Sequence, residues 1–244
     1  MSHDGSTLLV SNCAAFGGSH TTHEFGVADG SRRRVIGGRG DGPLRFKNPY
    51  QVWIASDDFV FVVDSDNRRV QVLTPRFDFH GFVSAGQLRD PRGVCANADV
   101  VVVSEANAHR ISVFNRSDGA LLRRIGSRGS GRGQLDYPRG LCFMSHDRHV
   151  AVTDNSNNRV SVFSVDGAFI RHVGGGILTE PYGVACSACD ELVVADKGNN
   201  RVALFSASGE LVKTMGRGGF TGVAVHGGAV FAQDWDDMQC VVFE

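Results

Sequence analysis

FVFVVDSDNRRVQVL, residues 59–73, joins two apolar runs through an acidic residue, a short polar turn and an arginine, and the chain repeats this pattern three more times. The later copies are VVVSEANAHRISVF (101–114), HVAVTDNSNNRVSVF (149–163) and LVVADKGNNRVALF (192–205). Their acidic residues, Asp64, Glu105, Asp154 and Asp196, each stand five positions before an arginine: Arg69, Arg110, Arg159 and Arg201. The copies recur at roughly 40 to 50 residues, a period that marks stacked supersecondary units. One such unit cannot bury its own apolar face and is stable only against its neighbours, and its length accommodates four strands. Radial stacking of four-stranded sheets gives a β-propeller.

A proline opens each unit: PYQVWIA from Pro49, PRGVCAN from Pro91, PRGLCFM from Pro138 and PYGVACS from Pro181. Its missing N–H costs little at the first residue of a strand. After this small apolar strand come the acidic-ended strand, the arginine-led strand and a fourth strand ending in Ile-Gly or a variant, as in ALLRRIG, AFIRHVG and ELVKTMG. The loops RSDG, SVDG and SASG before the fourth strand reach hairpin-turn conformations at low strain. Each acidic residue and its arginine flank one tight turn, so the pair reads as a turn-pinning device, because catalysis would not need four copies. Asn67, Asn157 and Asn199 tolerate the left-handed conformation that such a turn can need.

These elements in fixed order, PxGVA, VVxD, NxR[VI]xxF and a glycine-rich link such as IGSRGSGRGQLDYP, resemble the NHL-repeat family over Pro49 to Gly219. The resemblance implies an all-β, six-bladed NHL-type β-propeller with four complete four-stranded blades and two partial terminal ones. The expected domain spans 1–244, with a partial blade at 1–48, blades at 49–90, 91–137, 138–180 and 181–220, and a partial blade at 221–244. Asn12 and Asp234 stand in the acidic place of the partial copies, and Glu24 and Gln239 in the arginine place. Pairing of Ser6–Val10 with the last blade would give a five-bladed closure instead. The Trp235-Asp236 pair lies in an NHL-type turn and is no evidence for WD repeats.

With 42% hydrophobic residues and 31 glycines, the 244-residue chain suits one all-β domain rather than two. The start, MSHDGSTLLV, lacks a basic segment followed by an apolar one, and no run of 18 or more apolar residues occurs. These features lead to the expectation of a soluble, cytoplasmic chain with no membrane association. Cys95 and Cys142 hold the same place in successive apolar strands, which reads as buried free thiols in a reducing compartment. Oligomeric state is not legible in the sequence.

The residue after each opening proline varies: Tyr50, Arg92, Arg139 and Tyr182, with Thr221 as the nearest equivalent. If opening strands line a channel, these residues ring one mouth of it. Strand direction puts the turn and link residues Arg68, Arg128, Arg132 and His109 on the same face, making it basic despite a net charge of −1, and the opposite face acidic. The candidate ligand-binding set is therefore Tyr50, Arg92, Arg139, Tyr182, Arg68, Arg128, Arg132 and His109. The resemblance implies a protein or acidic peptide as partner, with single-stranded RNA on the same face as the alternative, its bases stacking on Tyr50 and Tyr182.

The resemblance also includes zinc-dependent lyases, and other six-bladed propellers are cation-centred hydrolases. Histidines at the starts of the opening strands are the lyase pattern, and this chain has Tyr, Arg, Arg, Tyr and Thr there. No enzyme activity, catalytic residue, cofactor or metal is expected. A remaining zinc candidate joins Cys186 and Cys189, spaced CxxC, to His146, His149 and His226 in flanking turns. The glycines of GGRGDG lack the lysine–serine pair of a P-loop and are read as links between sheets.

Overall fold

The computed structural model describes residues 1–2, 4–12, 19–144, 147–237 and 239–243. Apolar residues in short runs punctuated by Gly, Asp and Ser fold as antiparallel strands in six sheets. The first holds β1 (Thr7–Asn12), β2 (Thr21–Gly26) and β3 (Arg32–Gly37). The second is β4 (Pro49–Ile54), β5 (Val60–Asp64), β6 (Arg69–Leu73) and β7 (Phe79–Val83). The third is β8 (Pro91–Ala96), β9 (Val100–Glu105), β10 (Arg110–Asn115) and β11 (Leu121–Ile125). The fourth is β12 (Pro138–Met144), β13 (His149–Asp154), β14 (Arg159–Ser164) and β15 (Phe169–Val173). The fifth is β16 (Pro181–Cys186), β17 (Leu192–Asp196), β18 (Arg201–Phe205) and β19 (Leu211–Met215). The last is β20 (Phe220–His226), β21 (Ala229–Asp234) and β22 (Gln239–Phe243). Each sheet is a meander in chain order.

Six sheets, rather than five, follow from β1, which pairs with β2 from Thr7↔Gly26 to Asn12↔Thr21 instead of joining the last sheet. No helix among the described residues is long and apolar enough to cross a membrane.

Met1–Glu105 with Ser112–Arg123 forms one compact unit, and Ala106–Ile111 with Arg124–Glu244 a second. In the first, apolar residues of the second sheet (Phe61, Val63, Val70) bury against Val94, Val101 and Val103 of the third. Leu9 and Ile36 of the first sheet meet Val60, Val62 and Leu73 of the second. In the second unit, Val193, Ala195 and Val202 of the fifth sheet bury against Phe220, Val230 and Ala232 of the sixth. No sheet covers its own apolar faces, which is the physical content of the repeat period.

Adjacent opening strands approach so closely that the glycine after the variable residue is obligatory. A Cβ on Gly140 would stand 2.6 Å from the Tyr182 carbonyl oxygen, and one on Gly183 2.8 Å from that of Thr221. Thr153 Oγ1 donates to the Tyr182 carbonyl at 2.6 Å and Asn155 Nδ2 to that of Pro181 at 3.0 Å, fastening the fourth sheet to the fifth.

The repeated carboxylates are buried and fully used. Asp154 accepts the Asp136 N–H at 2.7 Å, both Asn157 Nδ2 contacts at 2.9 Å, and Arg159 Nε at 2.8 Å. Asp64 accepts the Lys47 N–H and Arg69 Nε, each at 2.7 Å, and Asp196 the Thr179 N–H and Arg201 Nε, also at 2.7 Å. Glu105 accepts the Arg89 N–H at 2.8 Å and Ser112 Oγ at 2.5 Å. The guanidinium ends then reach link carbonyls: Arg69 those of Gly42 and Arg45, Arg159 that of Ser130, and Arg201 that of Ile177. Every such group therefore ties a turn to the link leaving the preceding sheet.

These asparagines do not themselves take the left-handed conformation that they tolerate. That conformation falls one residue later, on Arg68 (φ 57°), Asn158 (φ 56°) and Asn200 (φ 53°), and on His109 (φ 51°) in the equivalent turn. Asn67, Asn157 and Asn199 instead donate both to the carboxylate and to a link carbonyl, of Gly40, Gly129 and Ile177 respectively. A side chain spent on two acceptors fixes its own backbone in the turn, which is 3₁₀ at Asn155–Asn157 and Lys197–Asn199, and the next residue makes the reversal.

Replacing Asp154 by Ala strands the Arg159 guanidinium and the Asp136 N–H, so the stability loss should be about 3–5 kcal/mol, read from the midpoint of urea unfolding. Gly183→Ala, which forces two opening strands apart, should cost about 1–3 kcal/mol in the same measurement.

Candidate functional site

In the second, fourth and fifth sheets the opening proline pairs with the carboxylate residue, and that residue with its arginine: Pro49↔Asp64↔Arg69, Pro138↔Asp154↔Arg159 and Pro181↔Asp196↔Arg201; in the third, Pro91 pairs with Glu105. The starts of the opening strands, the pinned turns and the links therefore share one end of each sheet. All eight predicted binding residues lie at that end, in two groups.

In the first unit, the Arg92 guanidinium lies 4.0 Å above the ring centroid of Tyr50 and its Nη2 2.7 Å from Asp90 Oδ1. All three side chains are half-buried or less exposed, the ion pair at 14% for each partner. Arg68 is exposed, yet its Nε donates to the Leu88 carbonyl at 2.8 Å and so stitches a turn to a link.

In the second unit, the Arg139 guanidinium lies 3.9 Å above Tyr182 and 5.1 Å from Tyr137. Lys197 Nζ stands 4.7 Å from the Tyr182 centroid and 3.5 Å from its hydroxyl. His109 Nδ1 accepts the Tyr137 N–H at 3.2 Å and lies 3.0 Å from Asp136 Oδ1, so its ring holds the residue ahead of Pro138 in place. Arg128 and Arg132 are exposed on the link between β11 and β12, with Arg132 5.5 Å from the Phe169 ring. The variable positions thus form guanidinium–tyrosine stacks, one in each unit, each interaction worth about 0.5–2 kcal/mol.

Three participants were not legible as site residues. Asp90 and Tyr137 sit immediately before an opening proline with positive φ (53° and 56°), and that place in the repeat is the signal that could have exposed them. Lys197 follows Asp196 where the other copies carry Ser65, Ala106 and Asn155, a departure from the pattern.

Stacking also changes what the tyrosines can do. One face of Tyr50 and one face of Tyr182 are covered by guanidinium groups, so each ring offers a base at most its remaining face.

At the opposite end of the fourth and fifth sheets, a cavity of about 160 Å³ is lined by Phe143, Met144, Asp147, Cys186, Ser187, Ala188 and Asp190. Cys186 is half-buried, with its thiol 3.3 Å from the Ser187 carbonyl and 3.7 Å from Asp190 Oδ1. Burial first, and the adjacent Asp190 carboxylate second, push that thiol up to about 12. A thiol so reluctant to ionise is a poor zinc ligand and a poor redox nucleophile. Among the described residues no group of three or more His, Cys, Asp or Glu side chains is placed to hold a metal. His146, named in the zinc expectation, lies outside the described residues. Cys95 and Cys142 are buried free thiols, as their positions in apolar strands imply.

The NHL repeat matches residues 135–163, which carry the opening strand, pinned turn and arginine-led strand of the fourth sheet. Protein brain tumor of Drosophila melanogaster is 30% identical over 114 residues, covering 46% of this chain and 11% of that protein. The chain spans 8 to 29% of the length of the curated relatives it matches. Among solved structures, the nidogen/laminin complex superposes with a TM-score of 0.80 at 16% identity, covering 98% of this chain and 89% of the other. A catalytically inactive variant of virginiamycin B lyase from Staphylococcus aureus does so with a TM-score of 0.69 at 15% identity, covering 99% and 83%. At such identities the likeness is one of fold. The chain thus carries an NHL repeat and has the six-bladed β-propeller fold.

Thiol alkylation at pH 8 with peptide mass mapping should label exposed Cys189 at least about a hundredfold faster than Cys186, whose thiolate is scarce until far higher pH. Comparable rates would remove the effect assigned to burial and Asp190.

Proposed function

We propose that the chain is a non-enzymatic interaction platform that binds an acidic protein segment at the end of its sheets bearing the opening prolines. The observation that carries this reading is that exposed and held basic residues share one end of the sheets: Arg128 and Arg132 exposed on the link that leads to Pro138, and Arg139 stacked on Tyr182 at the start of the opening strands. Stacked guanidinium groups lose little freedom on accepting a carboxylate, and unbound arginines on a glycine-rich link supply the attractive field. Tyr50, Arg92 and Arg68 offer a second, more heavily committed set, since Arg92 already holds Asp90.

Single-stranded RNA is the alternative at the same surface, and the covered tyrosine faces weigh against it, because base stacking is a main source of its affinity. The repeated carboxylates that could serve catalysis are instead consumed by turn hydrogen bonds, which supports a binding role. The opening-strand positions hold Tyr, Arg, Arg, Tyr and Thr.

Titration of an Asp/Glu-rich peptide and of an unstructured oligoribonucleotide across salt concentration separates the two. The peptide should bind more tightly, and Arg128→Glu combined with Arg132→Glu should weaken it about tenfold and flatten its salt dependence. Tighter RNA binding, with a salt slope of about −0.7 per phosphate contact and loss in Tyr182→Ala, would favour nucleic acid. Peptide affinity indifferent to both salt and charge reversal would overturn the proposal.

A further inference from the structure

The link from β11 to β12 folds as the link from β3 to β4 does. A single bridge closes each loop, Arg128↔Leu135 in the later link and Arg39↔Phe46 in the earlier one. The backbone hydrogen bonds match pairwise. Gly129 and Gly40 donate to Leu135 and Phe46 at 3.1 Å, and Gln134 and Arg45 to Gly131 and Gly42 at 3.2 Å. Leu135 and Phe46 donate back to Ser127 and Gly38, at 2.9 and 2.8 Å. Gly129 and Gly40 also share their backbone angle, with φ of 150° and 155°. Ser130 therefore occupies the place of Asp41. In the earlier link that place carries an exposed carboxylate 3.5 Å from Lys47 Nζ, so this loop accommodates an anion at its tip.

Ser130 is exposed, and among the described residues its hydroxyl makes no hydrogen bond. Turn serines elsewhere are spent: Ser31 on Asp29, Ser117 on Asn115, and Ser164 and Ser206 on backbone N–H groups. Two residues to either side stand Arg128 and Arg132, both exposed and neither in an ion pair among the described residues. The backbone beneath is held. Asn157 Nδ2 donates to the Gly129 carbonyl and Arg159 Nη1 to that of Ser130, each at 2.8 Å, and the Gly131 N–H to Gln134 Oε1 at 2.9 Å. A charge added to the Ser130 side chain thus acts on its neighbours without remaking the loop. Ser127 is exposed as well, but it sits at the closed base of the loop, where the equivalent residue is Gly38 rather than an acid.

We propose that Ser130 is a phosphorylation site whose phosphate closes the basic end of the sheets to an acidic segment. The regulatory half rests on the binding reading given above; the acceptor site does not. In the transfer, Ser130 Oγ bonds to the γ-phosphorus of ATP while the bond to the β–γ bridging oxygen breaks. The hydroxyl proton passes to the kinase's base and ADP leaves. The enzyme class is a serine kinase with an acidic substrate cleft, which the flanking arginines select. The phosphate adds a charge of about −1.5 to −2 and three acceptor oxygens, close to cancelling the two guanidinium charges beside it. Arg128 and Arg132 then donate charge-assisted hydrogen bonds to it and are lost to any carboxylate from outside.

The test treats the 244-residue chain with ATP and an arginine-directed serine kinase and maps the phosphate by mass spectrometry. It should fall on Ser130 and disappear in Ser130→Ala. Its second ionisation, followed by phosphorus NMR, should lie below the value of about 6 for an exposed phosphoserine and move back toward it in Arg132→Ala. The Asp/Glu-rich peptide should bind the phosphorylated chain at least about tenfold more weakly, and Ser130→Ala as tightly as the untreated chain whether or not kinase is present. Phosphate on Ser127 with Ser130 unmodified, an unshifted second ionisation, or one peptide affinity before and after modification sinks the proposal. A chain that never binds the peptide yet carries a shifted phosphate on Ser130 overturns the binding reading instead, and upholds the modification site.

Discussion

The buried carboxylate at the end of each second strand is the constraint on which the rest depends. Alone, an ionised group at Asp154, 0% exposed, would be prohibitively costly to bury. It is stable because one backbone N–H, one asparagine amide and one guanidinium converge on it within 2.9 Å. The N–H comes from the link leaving the preceding sheet and the other two from the turn, so satisfying the charge fixes the link against the turn. Repetition of this device at Asp64, Asp154 and Asp196, with Glu105 held by the Arg89 N–H and Ser112 in the third sheet, converts loops that would otherwise be loose into rigid supports.

That rigidity is what presents the basic residues. Arg139 enters its stack with Tyr182 because Gly140 and Gly183 let the two opening strands approach to near backbone contact. His109 then fixes Tyr137 through its backbone N–H, and the link above it is held by Asp154 and Asn157. The side chains that touch solvent, Arg128 and Arg132, stand on glycine-rich chain anchored at both ends. Affinity for an anionic segment would then owe more to preorganisation than to new contact area.

In each complete sheet the fourth strand comes from the same copy as the third. The edge there belongs to strands carrying Arg123, Arg171 or Lys213, the charge pattern by which exposed sheet edges avoid pairing with one another. β22 carries no charged residue between Gln239 and Phe243.

The sequence by itself determined the strand order within each repeat, the repeat length and the pinned turns, since alternating apolar residues, opening prolines and Asp–Arg spacing are local signals that leave little choice of backbone; six sheets rather than five were decided by the pairing of β1 with β2. It also placed the eight candidate residues at one end of their sheets, because strand polarity follows from chain direction. Only the tertiary structure decided what those residues touch: that Arg92 is spent on Tyr50 and Asp90, that Lys197 and Tyr137 join Arg139 and Tyr182, and that the left-handed residue is Asn158 rather than Asn157. The two stacks join residues about 40 positions apart across neighbouring sheets, Tyr50 with Arg92 and Arg139 with Tyr182, at distances set by how closely the opening strands pack, and no spacing within a single copy encodes them.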